Sequence, residues 1–234
     1  MIRSSIHPSF RCPHNTFRLP PALLAAFIIV PALLIAGVDD WVPPALVEKA
    51  RKDYDRRASE RIEDWRRMMA DASGQSESQK LETVNRFFNR AIPFRSDARH
   101  WKKDDYWASP YEALVTGGGD CEDYVIAKYY SLAKLGVPTE RLRITYVKAV
   151  ELNQAHMVLA YFPEPTAVPL VLDNLIPDIK SADKRRDLDP VYSFNADGMW
   201  LDKMKGRAIL MGHPNKLDLW TDLRVRMNLL GMDL

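Results

Sequence analysis

The first half of the chain is predicted to be largely helical. Between residues 45 and 70, apolar residues recur every third or fourth position among many charged ones, which is the period of a helix with one buried face. We therefore predict a single helix over this span, which Ser73-Gly74 ends. Its predicted buried positions are Ala50, Tyr54, Ala58, Ile62, Trp65 and Met69.

A second helix is predicted over residues 76–91. Ser76 and Gln79 have the spacing of a capping box, in which each side chain accepts a hydrogen bond from the other residue's backbone N–H. Pro93 follows the helix, and residues 94–110 are aromatic and loop-like. The predicted buried face consists of Leu81, Val84, Phe87 and Phe88.

A third helix is predicted over residues 121–135, shortly after three consecutive glycines at 117–119. Glycines in a row suit a turn better than a regular element. Gly136-Val137-Pro138 is typical of the end of a helix. Cys121 is therefore predicted to lie in the first turn of a helix that packs into the core.

The remainder of the chain is predicted to be rich in β-strands. Short apolar runs with β-branched and aromatic residues occupy 142–150, 156–162 and 169–173, and weaker ones at 192–195 and 199–201 flank the hairpin dipeptide Asp197-Gly198. A last helix is predicted over residues 214–230. Helices followed by a run of strands indicate an α+β fold, with the N-terminal helices packed on an antiparallel sheet.

The N-terminus has the pattern of an export signal. Arg3, Arg11 and Arg18 precede residues 19–38, which carry no charge. An uncleaved membrane anchor is the alternative, although Pro20, Pro21 and Pro31 disfavour a spanning helix. We therefore predict a signal peptide or anchor at 1–38, a helical extension at 39–75 and one further domain at 76–234, in a chain that is exported.

Composition and cysteine usage narrow the functional class. A hydrophobic content of 47% is that of a globular protein, and no basic stripe interleaved with aromatics indicates nucleic-acid binding. Of the two cysteines, Cys12 lies within the predicted signal, so Cys121 would be the one thiol of an exported chain. A lone thiol in an oxidising compartment is a candidate for chemistry, and a buried structural cysteine is the alternative.

Cys121 is the candidate nucleophile of a cysteine hydrolase. The partial positive charge and N–H groups of a helix N-terminus favour a thiolate and can receive an oxyanion. We expect the preceding glycines to leave the approach to the sulfur open for a substrate backbone. Asp120, Glu122 and Asp123 oppose this, because nearby carboxylates raise the pKa of a thiol. They either complement the helix dipole or bind a hard cation such as Ca²⁺.

His156 and Asp173 are the candidate base and orienting group. His156 opens one apolar run and Asp173 ends the next, and a hairpin about residues 163–168 would pair 156 with 175. This register places both side chains on one face of the sheet at a diagonal position, and a shift by two residues would put them directly opposite. Asn174 is a competitor for the orienting role but falls on the other face.

The segment around these residues resembles a known family. The runs WASPYEAL, GGGDCEDY, LGVP, RLRITYVKA, HMVLAY and PLVLDNL, in this order between about residues 81 and 201, closely resemble the bacterial transglutaminase-like cysteine proteinases of the LapG type. The resemblance implies a papain-like or transglutaminase-like α+β core. It also implies a Cys121–His156–Asp173 triad and calcium held by Asp120, Glu122 and Asp123.

The resemblance further implies a periplasmic endoprotease that cleaves the N-terminal region of a large surface adhesin and thereby promotes biofilm dispersal. Its expected inhibitory partner is the periplasmic domain of an inner-membrane cyclic di-GMP receptor. Two alternatives remain from the residues: a transglutaminase or deamidase that uses the same triad, and a non-catalytic calcium-dependent binding module.

Overall fold

The computed structural model describes residues 37–38, 40–203, 207–212 and 217–233. All of them belong to one compact unit. The segment predicted to be a signal peptide or anchor therefore lies almost entirely outside the described residues. Within the described ranges, no helix combines the length and the apolar character needed to cross a bilayer.

The span predicted to be one helix contains two. Helix α1 (Ala45–Asp53) ends at Tyr54, and helix α2 (Arg56–Ala72) begins after Asp55, whose carboxylate accepts a hydrogen bond of 2.7 Å from the Ala58 backbone N–H. Asp55 is a good N-cap residue, so it starts a new helix despite the continuous apolar pattern. Tyr54, predicted to be buried, is 49% exposed at the break, whereas the other five predicted positions are buried.

Helix α3 (Glu77–Ala91) confirms the second predicted helix, including the capping box between Ser76 and Gln79. Leu81, Val84 and Phe88 are buried on its inner face, and Phe87 packs against the core. The segment predicted to be loop-like contains a short helix, α4 (Asp97–His100), and ends at helix α5 (Pro110–Thr116). Ser109 and Glu112 form a second capping box at the start of α5.

Helix α6 (Cys121–Lys134) confirms the third predicted helix and forms the centre of the core. It is buried on nearly every side, since every residue from Asp123 to Leu132 is buried. The Nε1 of Trp65 in α2 donates a 3.0 Å hydrogen bond to the Ser131 hydroxyl of α6. Cys121, the first residue of α6, is therefore held by a helix that is fixed in the core.

Seven antiparallel strands form one sheet within the described part of the chain. The strands are β1 (Leu142–Ala149), β2 (Gln154–Tyr161), β3 (Leu170–Leu172), β4 (Lys180–Ser181), β5 (Leu188–Phe194), β6 (Met199–Lys203) and β7 (Arg207–Gly212). Their order is β4-β3-β2-β1-β5-β6-β7. Helix α7 (Asp218–Leu229) follows. The sequence did not predict β4 or β7, but the arrangement confirms the predicted α+β fold with helices on an antiparallel sheet.

The register between β2 and β3 is the one predicted from the sequence. Leu159 pairs with Leu172 and Tyr161 with Leu170, so position 156 is opposite position 175. Asp173 directly follows β3 and lies diagonal to His156 on the same face. The pairing of two short strands therefore fixes the relative positions of these two side chains.

We expect Asp55→Ala to lower the free energy of unfolding by about 1 kcal/mol, because it removes the hydrogen bond that caps α2. Urea unfolding monitored by circular dichroism measures this. Glu63→Ala, an exposed change in the middle of the same helix, is the matched control and should have little effect. Equal stability of the two variants would contradict the role given to Asp55.

Candidate active site

Cys121 opens onto a cleft between the N-terminus of α6 and the sheet. The cleft has a volume of about 640 Å³. His156 and Met157 of β2 lie on its sheet side, together with Tyr146 and Tyr192, whose rings stack at 5.1 Å between centroids. The Cys121 side chain is half-buried, and its thiol lies close enough to β2 to interact with the backbone N–H of Met157. The structure thus places the candidate nucleophile and the candidate base in one cleft.

His156 and Asp173 form a buried hydrogen-bonded pair. The distance between His156 Nε2 and Asp173 Oδ1 is 2.8 Å, and the two residues are 3% and 0% exposed. Because Nε2 is engaged with the carboxylate, Nδ1 is the ring nitrogen that remains for the thiol. Asn174, the competitor for the orienting role, is not hydrogen-bonded to the ring.

Asp173 is held as a carboxylate by several donors. Its Oδ1 also accepts from the Leu175 backbone N–H at 3.0 Å, and its Oδ2 accepts from Arg185 Nη2 at 2.7 Å. Burial alone would raise the pKa of Asp173, but the His156 ring, the Leu175 amide and the Arg185 guanidinium together lower it to about 2. The side chain is therefore ionised at neutral pH.

Arg185 is a buried component of this site that the sequence analysis missed. Its Nη2 also contacts Asp187 Oδ2 at 2.8 Å, so its charge is shared between two carboxylates. Arg185 is the middle residue of a Lys-Arg-Arg run, a pattern typical of a solvated surface. Nothing local marks it as buried, because its partner Asp173 lies on another segment.

The glycines before Cys121 have a different role from the one predicted. Gly117 ends α5 in the left-handed region at φ +65°, a conformation that favours glycine. A Cβ on Gly119 would lie 2.6 Å from the carboxylate of Asp123. The space beside Gly118 and Gly119 is thus filled by the protein's own side chains, and the opening at Cys121 is the cleft toward the sheet.

Carboxylates crowd the thiol, as expected from the sequence. The Cys121 Sγ donates a hydrogen bond of 3.0 Å to Glu122 Oε2. Burial raises the pKa of the Cys121 thiol well above its usual range, and the charges of Glu122 and Asp120 raise it further. Without a compensating positive charge, the arrangement favours the thiol over the thiolate.

Asp97, Asp120 and Glu122 converge beside Cys121. One carboxylate oxygen from each lies within 4.8 Å of the others. Asp97 comes from α4, and nothing in the aromatic loop distinguished it in the sequence.

The electrostatics of this cluster fit a bound cation. Burial and the charge of Asp120 raise the pKa of Asp97 to about 7, and burial and the charge of Glu122 raise the pKa of Asp120. Asp97 Oδ1 and Asp120 Oδ1 are buried without a hydrogen-bond partner among the described residues. Such a set of oxygens fits a hard cation.

Asp123 has another role from that of its neighbours. It is buried, and its carboxylate accepts from the backbone N–H groups of Ala108 at 2.7 Å and Asp120 at 3.1 Å. It ties the segment before α5 to the turn that carries Cys121. Of the three predicted metal ligands, the structure brings Asp120 and Glu122 together with Asp97, and it engages Asp123 in backbone hydrogen bonds.

Comparison with known proteins identifies the family. The sequence model of the bacterial transglutaminase-like cysteine proteinases (BTLCP) matches residues 52–187. The chain belongs to this family of cysteine proteinases. Legionella pneumophila LapG shares 43% sequence identity, with a TM-score of 0.68 over 77% of this chain and 97% of LapG. This confirms the resemblance and the transglutaminase-like fold predicted from the sequence.

Two further LapG structures bear on the metal. The calcium-bound form matches at 43% identity with a TM-score of 0.66, and the EGTA-treated form at 42% with 0.67; each covers 77% of this chain. A member of the bacterial transglutaminase-like cysteine proteinase family has thus been solved with calcium. No match was found among curated proteins.

The acid stability of the protein should depend on Asp173. Because its folded pKa is depressed to about 2, the stabilisation is complete above the unfolded value near 3.8 and is lost as pH falls through 2. We expect the free energy of unfolding to fall by about 2 kcal/mol more in the wild type than in Asp173→Asn between about pH 4 and pH 2. Urea unfolding at several pH values measures this.

Asp71→Asn, on the exposed side of α2, is the control and should follow the wild-type curve. Parallel curves for the wild type and Asp173→Asn would show that the buried pair does not hold Asp173 as a carboxylate.

Proposed function

We propose that this chain is a calcium-dependent cysteine endoprotease in which Cys121 is the nucleophile, His156 the base and Asp173 the group that orients the base. The observation that carries the proposal is the buried His156–Asp173 hydrogen bond facing the same cleft as Cys121. The three residues come from α6, from β2 and from the residue after β3, and packing of the helix on the sheet brings them together.

The proposed reaction is acyl transfer to water. His156 Nδ1 takes the thiol proton, and the Cys121 sulfur attacks the scissile carbonyl carbon. The tetrahedral intermediate collapses to a thioester when His156 gives the proton to the leaving amine, and water then hydrolyses the thioester. Asp173 keeps Nε2 engaged, which fixes the ring orientation and supports the imidazolium between these steps.

The N-terminus of α6 supports the same chemistry. The first backbone N–H groups of a helix have no partner within it and point past its N-terminal end, which here is the position of Cys121. An oxyanion that forms beside the sulfur would be stabilised by these donors and by the helix dipole. The Met157 N–H adds a donor from the opposite side of the cleft and lowers the pKa of the thiol.

Asp97, Asp120 and Glu122 would hold the calcium ion. When bound, the ion supplies positive charge that offsets the carboxylates next to the thiol. Glu122 accepts the hydrogen bond of the thiol, and the charges of Glu122 and Asp120 oppose ionisation of Cys121. Asp123 would support the site indirectly, because it fixes the turn on which Asp120 lies.

We further propose that the substrate is the N-terminal region of a large surface adhesin and that the enzyme acts in the periplasm. Support comes from the similarity to LapG and from the signal-like N-terminus. Cleavage would release the adhesin and promote biofilm dispersal. The periplasmic domain of an inner-membrane cyclic di-GMP receptor is the proposed inhibitory partner.

We expect Cys121→Ala and His156→Ala each to reduce cleavage of the adhesin's N-terminal fragment by at least roughly a thousandfold, because each removes a group that forms or breaks bonds. Mass spectrometry of the products gives the rate and the cleavage site. The exposed substitution Glu164→Gln is the control. Cleavage at the wild-type rate by Cys121→Ala would refute the proposal, and an amine donor incorporated in place of water would indicate a transglutaminase.

We expect calcium to raise the melting temperature of the wild type and Asp97→Asn to weaken calcium binding by roughly tenfold or more, since a buried carboxylate ligand is lost. Calorimetric titration and thermal unfolding measure both. Asp104→Asn, on the same segment but exposed, is the matched control. Equal affinity of Asp97→Asn and the wild type would exclude Asp97 as a ligand.

A further inference from the structure

A buried lysine lies on the same helix face as the nucleophile. Lys128 follows Cys121 by seven residues, which is two helical turns, so both side chains project from one side of α6. Lys128 is 0% exposed, and its Nζ has no hydrogen-bond partner among the described residues. Its Nζ lies 5.8 Å from the centroid of the Tyr124 ring, one turn back toward Cys121. A fully buried lysine without a partner is rare in folded proteins and calls for an explanation.

Asp173 is the charged group that acts on Lys128. Burial lowers the pKa of Lys128 to about 7, and the charge of Asp173 limits this decrease. Asp173 in turn contacts His156 from β2 and Arg185 from the segment before β5. Helix α3 contributes to this region the amides of Asn85 and Asn89, which do not titrate; Asn89 Nδ2 donates to the Asp173 carbonyl at 2.8 Å.

We propose that Lys128 is a positioning residue for the His156–Asp173 pair. While the buried Lys128 amine is uncharged, the negative charge of Asp173 acts on His156 alone. When the amine takes up a proton, it competes with His156 for that charge. This inference rests on the proposed protease function, since it concerns the support that Asp173 gives to the His156 imidazolium.

The balance of charges behind His156 explains the competition. Arg185 is shared between Asp173 and Asp187, so the three groups together carry one negative charge. That charge stabilises the imidazolium that forms during acyl transfer. A protonated Lys128 would bring the sum to zero in a buried environment where screening by water is weak. Protonation of Lys128 would therefore weaken the stabilisation of the His156 imidazolium and make His156 a weaker base.

The first experiment measures the amine itself and does not depend on activity. Lysine side chains of the full chain are labelled with ¹³C at Cε and titrated by NMR, and Lys128→Met assigns the signal. We expect one lysine to titrate near 7 in the wild type and at lower pH in Asp173→Asn, because loss of the carboxylate removes the charge that favours the ammonium. Titration of every lysine near its ordinary value of about 10 would overturn the inference and leave the protease proposal intact.

The second experiment measures the effect on catalysis. The ratio of kcat for Lys128→Met to kcat for the wild type should increase about fivefold between about pH 8.5 and pH 6, because methionine fills the space and takes up no proton. Lys134→Met on the same helix, where the lysine pairs with Asp233 at the surface, should give a constant ratio. A purely structural Lys128 would change stability at all pH values and leave the kcat ratio flat, and that result would refute the proposal. Should Lys128→Met not fold, a single lysine that titrates near 7 in the wild type and at lower pH in Asp173→Asn still supports the coupling to Asp173, and the lack of such a lysine refutes the proposal.

Discussion

The site depends on the burial of one carboxylate at the end of a short strand. Asp173 is fully enclosed, and an ionised group in that position requires compensating partners. His156 and Arg185 supply them from two different segments, and the Leu175 amide supplies a third donor. The same contacts that make burial of the charge tolerable also fix the imidazole in one orientation. The contacts that stabilise the buried carboxylate therefore also set the orientation of the His156 ring.

At the other side of the cleft, a cluster of three carboxylates lies at the N-terminus of α6. The N-terminus of α6 favours negative charge, but Asp97, Asp120 and Glu122 lie close together there and each has a raised pKa. The charges of Asp120 and Glu122 oppose the ionisation of the Cys121 thiol. The two sides of the cleft are thus not equivalent: both oxygens of Asp173 accept hydrogen bonds, whereas Asp97 Oδ1 and Asp120 Oδ1 are buried without a partner among the described residues. A cation would therefore fit the acidic side of the cleft and not the His156–Asp173 side.

The sequence predicted the parts of this arrangement that follow from local patterns. The capping box at Ser76, the helix that begins at Cys121 and the β2–β3 register each depend on residues close together in the chain, and each was confirmed. Arg185 and Asp97 were missed because their roles exist only through partners on distant segments. The break at Asp55 was missed because a capping carboxylate outweighs an apolar repeat that continues across it. The role of the glycines was predicted from their lack of side chains alone. The space beside Gly119 is in fact occupied by the carboxylate of Asp123, a contact that the local sequence does not reveal.

The hydrogen bonds of Asp123 have a consequence for how the turn at Cys121 is held. They join the Ala108 and Asp120 amides through a buried carboxylate that is separate from the cluster of Asp97, Asp120 and Glu122. The turn that carries Cys121 is thus held by contacts that do not use the carboxylate oxygens of that cluster. A change of charge within the cluster would therefore alter the electric field at Cys121 without breaking the bonds that hold the turn.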